Sequence, residues 1–220
     1  MKFASALALA VGLGVVSANP VVKRASTSEK ATVGYATLSG GTTGGGSAAA
    51  TTVTTLEALK AAAARGGVIL ISGTITGNEV VKAVSNTSFI GKAGATLSGV
   101  GIRVLGVSNV IIVKVLASAG DALAVQTANR VWIDHVDLSS DRDHDKDYYD
   151  GLLDITHGCY AVSVTNSYLH DHWKGSLVGH SDSNESEDKA IQVTYAFNKW
   201  YNLNSRTPSF RFGHGHIFNN

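Results

Sequence analysis

The chain has 220 residues, of which 44% are apolar and 16% charged, and its formal net charge is +1. This length and apolar content are enough for one domain with a substantial core, and they exclude a chain that is disordered throughout. The near-neutral charge gives no reason to expect nucleic acid as a partner. Glycine is abundant at 24 residues while proline occurs only twice, which is typical of many tight turns between short strands.

The beginning of the chain has the layout of an export signal. Lys2 precedes the apolar run 3–16 and a small-residue exit, so we predict that residues 1–18 are a secretory signal peptide and that the protein is secreted and extracellular. The run is shorter than the roughly 20 apolar residues that span a bilayer, so we expect no membrane anchor. Residues 19–24 are a candidate propeptide because they end in a dibasic pair, although solvated charge explains that pair equally well.

Residues 25–220 are predicted to form one domain that begins with a surface loop and a short helix. The stretch 25–52 is rich in Gly, Ser and Thr, which is typical of a loop. Thr54 and Glu57 then match a capping box at the start of a helix over 54–64. Because the first rung of a strand stack is open, we expect this helix to cap it with its apolar face.

Downstream of the helix the chain consists of short β-rich runs separated by Gly, Ser, Asn and Asp. Asn86, Asn109 and Arg130 open successive runs at short and nearly equal intervals, which predicts the coils of an all-β parallel β-helix. The next intervals, from Arg130 to Tyr160 and from Tyr160 to Lys189, are longer, so each later coil carries an insertion of about eight residues. The insertions are charged, and they are either solvated turns or functional loops.

Two features bear on passage through the secretory route. Cys159 is the only cysteine, so it closes no disulfide within the chain and is either buried or lacks its partner. Asn86 and Asn184 begin sequons that are compatible with N-glycosylation, although such triplets often occur by chance.

Three aspartates, Asp121, Asp150 and Asp154, are candidates for a metal site, because clustered carboxylates suit calcium. In an extended strand Asp150 and Asp154 would lie about 13 Å apart, too far to share an ion. The chain must therefore bend, and Gly151 permits a bend. Asp121 precedes Asp154 by one coil plus an insertion, so the two could stack on neighbouring rungs about 4.8 Å apart. Turn-forming aspartates are the alternative.

A cationic set accompanies these acids. It consists of Lys174, Arg206 and Arg211, with Pro208 between the two arginines. The fixed φ of proline stiffens this segment, which helps to hold two guanidinium groups against carboxylates. The alternative for any isolated lysine or arginine is solvated surface charge.

Four segments in a fixed order give this pattern a family resemblance. They are VWIDHVDLSS (131–140), YYDGLLDIT (148–156), HDHWKGSLVGHSDS (170–183) and SRTPSFRFGHGHIFNN (205–220). The chain resembles the pectate lyases, polysaccharide lyase family 1, of the secreted fungal type. The resemblance covers more than half of the chain and weakens before residue 100. It implies a right-handed parallel β-helix that continues for further coils in the family, so we expect this chain to be incomplete at its C-terminus.

The resemblance also implies an activity and a set of roles. The substrate would be polygalacturonate, the pectate of plant cell walls, cleaved by calcium-dependent β-elimination to 4,5-unsaturated oligogalacturonides by a monomer. By resemblance Asp121, Asp150 and Asp154 hold Ca²⁺. Lys174 and Arg211 would bind sugar carboxylates and stabilise the developing negative charge, and Arg206 would be the base.

The assignment of the base conflicts with the ordinary chemistry of arginine. A free guanidinium keeps its proton up to about pH 12, whereas a lysine ammonium becomes a base more readily when it is buried. Lys174 is therefore the easier base in principle, while the resemblance favours Arg206. An alkaline optimum would be natural for either residue.

Other interpretations remain open. A truncated β-helix would bind polyuronate without cleaving it, a pectin lyase would act on methylated polymer but generally lacks the acidic set, and a hydrolase would need paired acids with a water between them. The pairs His170/His172 and His214/His216 invite a transition-metal site, but hydrogen bonding explains them equally and is favoured. Among the tryptophans, Trp173 is the best candidate for stacking on a sugar.

Overall fold

The computed structural model describes residues 26–113, 115–118 and 122–220. The predicted signal peptide (1–18), the candidate propeptide (19–24) and Asp121 lie outside the described residues. Within the described ranges, no helix has both the length and the apolar character needed to cross a bilayer.

The described residues form eighteen strands, two α-helices and one 3₁₀ turn, the last at Tyr35–Thr37. The helices are α1 (Leu56–Arg65) and α2 (Glu185–Asp188). The strands are β1 (Ala50–Val53), β2 (Gly67–Ile71), β3 (Thr74–Lys82), β4 (Thr87–Gly91), β5 (Thr96–Leu105), β6 (Ser108–Val113), β7 (Leu116–Ser118), β8 (Leu123–Gln126), β9 (Asn129–Asp134), β10 (Asp137–Ser139), β11 (Leu153–Thr156), β12 (Tyr160–Thr165), β13 (Tyr168–Lys174), β14 (Leu177–Val178), β15 (Gln192–Ala196), β16 (Lys199–Ser205), β17 (Ser209–Phe210) and β18 (His214–Phe218).

These strands build three parallel faces, because each later coil adds one strand to each face. The first face has the order β1-β2-β4-β6-β9-β12-β15-β18, the second β7-β10-β13-β16 and the third β8-β11-β14-β17. The long strand β5 pairs with both β7 and β8, so it joins the second and third faces. The strands pair in parallel, and connections between parallel strands are right-handed in almost every case. The predicted all-β, right-handed parallel β-helix is confirmed.

The coil length predicted for the later part of the chain needs a correction. Val131 pairs with Val162, and Val162 pairs with Val193, so these two coils are equal in length and slightly longer than the predicted intervals. Tyr160 therefore stacks beside Asn129 rather than Arg130. Lys189 is not in a strand at all, because it caps the C-terminal end of α2, a short helix that was not predicted. The hydrogen-bond ladder sets the register between coils. The first polar residue of a run lies a position or two away from the residue that the ladder pairs.

Helix α1 caps the early coils as predicted, but its first residues were misassigned. The N-cap is Thr55 rather than Thr54, because the Thr55 hydroxyl accepts a hydrogen bond from the Ala58 N–H at 3.2 Å. Leu59 is fully buried in the main core, and Leu56 packs against its edge. The helix therefore covers apolar side chains of the first rungs that would otherwise face solvent.

Asn109 ties the N-terminal loop to the stack of strands. Its Oδ1 accepts hydrogen bonds from the Thr43 and Gly44 N–H groups at 2.7 and 2.9 Å, and its Nδ2 donates to Asn86 Oδ1 at 2.8 Å. Both asparagines have positive φ, near 60°, which asparagine tolerates better than most residues. The residues that open successive coils in the sequence thus form a side-chain ladder.

Replacing Asn109 by alanine is expected to lower the free energy of unfolding by about 3 kcal/mol, because two backbone N–H groups lose their acceptor in a mostly buried place. Denaturant unfolding measures this loss. Asn219→Ala is the matched control, because Asn219 also has positive φ but is exposed. An equal loss in both variants would attribute the effect to backbone conformation and not to the ladder.

The two insertions lie on either side of the third face. The first connects β10 to β11, at the corner between the second and third faces, and the second connects β14 to β15, at the corner between the third and first faces. Buried Asp188 anchors the second insertion, since its carboxylate accepts hydrogen bonds from the Gly158 and His180 N–H groups at 3.1 and 2.6 Å. The third face is therefore flanked by two loops.

Of the two alternatives for Cys159, burial is the one observed. The side chain is fully buried in the core, where its thiol contacts the Thr156 carbonyl oxygen at 3.0 Å and the Ala128 N–H at 3.4 Å. Burial raises the pKa of the thiol to about 12. The thiol thus stays protonated and packs as an apolar group in the folded chain.

Candidate active site

Asp154 lies on the third face, on β11, directly beside Ala124 of the preceding coil. Its side chain is only 14% exposed. One carboxylate oxygen, Oδ1, accepts a hydrogen bond from the Leu177 N–H at 2.9 Å on the next rung. Asp154 pairs with Ala124, so the spacing from Asp121 to Asp154 differs from the spacing of paired residues on these two coils.

Asp150 lies at the corner between the second and third faces, and the chain bends between Asp150 and Asp154. Strand β11 begins only at Leu153, so Asp150 belongs to the end of the first insertion. Gly151 packs directly on Asp154, because a Cβ atom at this position would lie 2.5 Å from Asp154 Oδ1. The expected bend is present, and a residue larger than glycine would displace the Asp154 carboxylate.

Two members of the cationic set face these two acids across successive coils. Lys174, the last residue of β13, places its Nζ 3.2 Å from Asp150 Oδ1 and 3.0 Å from Asp147 Oδ1. Arg206, one residue after β16, places its Nη1 3.6 Å from Asp154 Oδ2. Since β13 and β16 are paired, with Lys174 beside Ser205, both cations lie on one corner of the stack.

Backbone contacts fix the position of Arg206. The residue has a φ of +59°, in the left-handed region that non-glycine residues seldom occupy. Its carbonyl oxygen accepts a hydrogen bond from the Ser176 N–H at 2.6 Å. Gly175 lies against the same carbonyl, which a Cβ there would approach to 2.6 Å. A conformation that costs about 1–3 kcal/mol is thus held by the coil beneath it.

Arg211 lies at the opposite end of the third face. It follows β17, its N–H donates to the Val178 carbonyl oxygen at 2.9 Å, and its guanidinium Nε lies 2.7 Å from Asp182 Oδ1 in the second insertion. Position 211 is two residues beyond Ser209, which pairs with Leu177. Phe210, the residue between them, packs against the core, and Arg211 follows the end of β17.

The described acids suit calcium in chemistry but are too few to enclose an ion. Calcium takes about six to eight oxygen ligands at roughly 2.3–2.6 Å, more than Asp150 and Asp154 supply. Among the residues that the structure describes, no three His, Cys, Asp or Glu side chains are arranged to hold a metal. A carboxylate oxygen can accept more than one contact, so the bond from Leu177 to Asp154 does not exclude an ion. Asp121, water and substrate carboxylates are the remaining candidate ligands.

His172 also lies at this corner, although the sequence analysis named it only as part of the pair His170/His172. It is fully buried, with Nε2 2.6 Å from the Asp150 carbonyl oxygen and Nδ1 in a short contact with the Ser140 hydroxyl. The carbonyl can only accept, so Nε2 carries the proton and Nδ1 accepts from Ser140. Burial lowers the pKa of His172, which favours this neutral form. His172 thus ties both ends of the first insertion to β13.

The other histidines have partners that explain them. His170 contacts Asp137 at 2.8 Å and Asp171 at 2.7 Å. His216 stacks on Tyr35 with ring centroids 4.4 Å apart. These hydrogen bonds and ring contacts account for His170 and His216, and those of His172 are given above.

Trp173 packs against the first insertion, which leaves it a poor platform for a sugar. The Arg142 guanidinium lies 4.5 Å from the centre of the Trp173 ring, and the indole N–H donates to the His144 carbonyl oxygen at 2.8 Å. The exposed aromatic ring of this region is Tyr148. In the sequence, Tyr148 and Tyr149 stand next to the charged residues of the first insertion. This pattern indicates exposed aromatic rings, and the sequence analysis did not use it.

Comparisons with known proteins identify the family of this chain. A family model described as pectate lyase matches residues 4–220. Pectate lyase A of Aspergillus niger is 57% identical over 207 residues, which cover 90% of this chain and 64% of that protein. A probable pectate lyase A of Aspergillus fumigatus is 53% identical over the whole chain and 73% of its own length.

A solved structure of a pectate lyase from Bacillus sp. N165, in complex with trigalacturonate, superposes with a TM-score of 0.75 at 30% identity. The match covers 86% of this chain and 68% of that protein. The chain thus spans about two thirds of the proteins that it matches. The family match extends over nearly all of the sequence, and on this evidence the chain belongs to the pectate lyase family.

Proposed function

We propose that this protein cleaves α-1,4-linked polygalacturonate by calcium-dependent β-elimination and releases 4,5-unsaturated oligogalacturonides. One observation carries the proposal: on successive coils beside the third face, Lys174 lies against Asp150 and Arg206 lies against Asp154. A carboxylate-rich polymer and a divalent cation each find ligands of opposite charge there. We further propose that the protein is secreted and extracellular, in line with its N-terminal sequence, and that it acts as a monomer.

Charge is the central chemical problem of this reaction. The C5 hydrogen of galacturonate is weakly acidic, and it leaves only if the negative charge that develops on the neighbouring carboxylate is stabilised. Calcium held by Asp121, Asp150 and Asp154 would supply part of this stabilisation as a Lewis acid. Lys174 and Arg211 supply the rest by donating N–H hydrogen bonds to sugar carboxylates.

Proton transfer is assigned to Arg206. The neutral guanidine of Arg206, formed by loss of a proton to alkaline solvent, takes the C5 proton and later returns it to solvent. The C5–H electrons form the C4–C5 double bond, and the C4–O bond breaks. The glycosidic oxygen leaves with that electron pair and takes a proton from solvent, so no water is added to the sugar. The hydrogen-bonded backbone of Arg206 holds its side chain at the corner of the third face. A base that is held in position reacts faster than one that must first be brought there.

Exposed acids of the two insertions contact Lys174 and Arg211 before substrate binds. Asp147 contacts Lys174 and is 64% exposed, while Asp182 contacts Arg211 and is 92% exposed. Hydrogen bonds from Lys146 and then Lys174 lower the pKa of Asp147, so this carboxylate is charged at neutral pH. Because Asp147 and Asp182 are exposed, sugar carboxylates can reach Lys174 and Arg211 and replace these partners.

The product distinguishes this proposal from its alternatives. Purified protein given polygalacturonate and calcium at alkaline pH is expected to form unsaturated uronide that absorbs in the ultraviolet, and a chelator is expected to abolish the signal. Saturated reducing ends without ultraviolet absorbance would identify a hydrolase and contradict the proposal. Product only from methylated pectin would indicate a pectin lyase, and retention of polygalacturonate without product would indicate a binding protein.

A further inference from the structure

The first insertion presents an exposed, pre-arranged aromatic ring. Tyr148 is 65% exposed, and one face of its ring stacks on His144 with centroids 4.1 Å apart and an interplanar angle of 17°. Tyr149 meets Tyr148 edge to face at 4.8 Å. One side of the Tyr148 ring is thus supported by protein, and the exposed remainder of the side chain faces solvent.

The segment that carries this ring is held against the corner of the stack that carries Lys174 and Arg206. The Trp173 N–H donates to the His144 carbonyl oxygen at 2.8 Å, and the Tyr149 hydroxyl donates to Asp141 Oδ2 at 3.1 Å. Asp147, the residue immediately before Tyr148, contacts Lys174 Nζ at 3.0 Å. The residue before Tyr148 is thus fixed to Lys174, and these contacts limit the entropy that would be lost when a ligand packs on the ring.

We propose that Tyr148 forms a carbohydrate-stacking subsite that binds one galacturonate ring of the polymer next to Lys174. This inference rests on the proposed function, since it takes polygalacturonate as the ligand. The galacto configuration places the hydrogens of C3, C4 and C5 on one face of the sugar, and such an apolar face packs on an aromatic ring. Lys146, which contacts Asp147 directly before Tyr148, is the cation for the carboxylate of a sugar held there, and Lys174 is left for the reacting sugar.

The stacked sugar cannot be the one that reacts. Its C5 hydrogen belongs to the face that the Tyr148 ring covers, so no base can reach this hydrogen while the sugar is stacked. Tyr148 therefore binds a neighbouring sugar of the chain and contributes equally to the ground state and the transition state. Removing uniform binding raises KM and leaves kcat unchanged.

The test compares Tyr148→Ala with Tyr148→Phe, which keeps the ring, and with Tyr160→Ala, which removes an exposed tyrosine from the first face. Binding is measured by affinity electrophoresis in polygalacturonate, which needs no turnover, and KM and kcat are measured with hexagalacturonate. We expect Tyr148→Ala to bind about fivefold more weakly and to raise KM by the same factor at unchanged kcat. The other two variants are expected to match the unmodified chain.

The outcomes separate this inference from the proposed function. Tyr148-dependent binding without unsaturated product would support the subsite while the proposed reaction fails. Unsaturated product together with unaltered binding of Tyr148→Ala would overturn the subsite alone. A fall in kcat at unchanged KM, or an equal effect of Tyr160→Ala, would also overturn it, and a chain that polygalacturonate does not retain would overturn both.

Discussion

Replacing Arg206 by alanine is expected to lower kcat on polygalacturonate about a thousandfold, because a positioned general base contributes on the order of 10²- to 10⁴-fold. Arg206 lies beside Asp154 at the corner of the third face, and its backbone is fixed by the coil beneath it. Initial rates of ultraviolet-absorbing product measure the loss. Affinity for polygalacturonate is expected to change much less, since Lys174 and Arg211 remain.

Arg65→Ala is the matched control for charge, because Arg65 ends α1 on the surface, outside the third face. Its kcat is expected to equal that of the unmodified chain. Full activity of Arg206→Ala would show that Arg206 is not the base, and Lys174 would then be the candidate to test. A thermal unfolding curve of Arg206→Ala guards against loss of the fold as the cause.

Replacing Asp154 by asparagine is expected to raise the calcium concentration needed for half-maximal activity on the order of 100-fold, because calcium affinity depends on the number of charged ligands. Asparagine keeps an oxygen that can accept the hydrogen bond from the Leu177 N–H, so the rung should stay intact while the charge is lost. A calcium titration of activity, together with calorimetric calcium binding in the presence of oligogalacturonate, measures the change.

Asp137→Asn serves as the control for removing a carboxylate from a strand, because Asp137 lies on β10 of the second face, where it contacts His170. It is expected to leave the calcium requirement unchanged. Activity of Asp154→Asn that saturates at the same calcium concentration as in the unmodified chain would remove Asp154 from the metal site. Full activity of the unmodified chain in excess chelator would remove calcium from the reaction.

The sequence predicted the stack of coils because residues that open first-face strands recur at short intervals. The spacing of Asn86 and Asn109 equals the true register of that coil, as the pairing of Thr87 with Val110 shows. The later coils were predicted slightly too short, since insertions change which residue opens the run. Strands β14 and β17, of two residues each, were not predicted, because so short a segment has no periodicity of its own.

The sequence and its family resemblance named the acidic and cationic candidates but not their partners. Lys174 contacts Asp147, and Arg211 contacts Asp182, in loops whose conformation depends on anchors far away in the chain. One such anchor is His172, which was interpreted only as part of a histidine pair. Its role is visible only when the coil brings it to the Asp150 carbonyl oxygen, 22 residues away in sequence. Long-range contacts of this kind leave no local pattern.

The central claim is that calcium and polygalacturonate bind together over the third face, between the acidic and the cationic residues. A crystal structure of the Arg206→Ala variant with calcium and an oligogalacturonate tests it most directly. We predict an ion within roughly 2.3–2.6 Å of carboxylate oxygens of Asp150 and Asp154, with sugar carboxylates on Lys174 and Arg211. An ion or an oligosaccharide bound on the first or second face, with the third face empty, would contradict the claim.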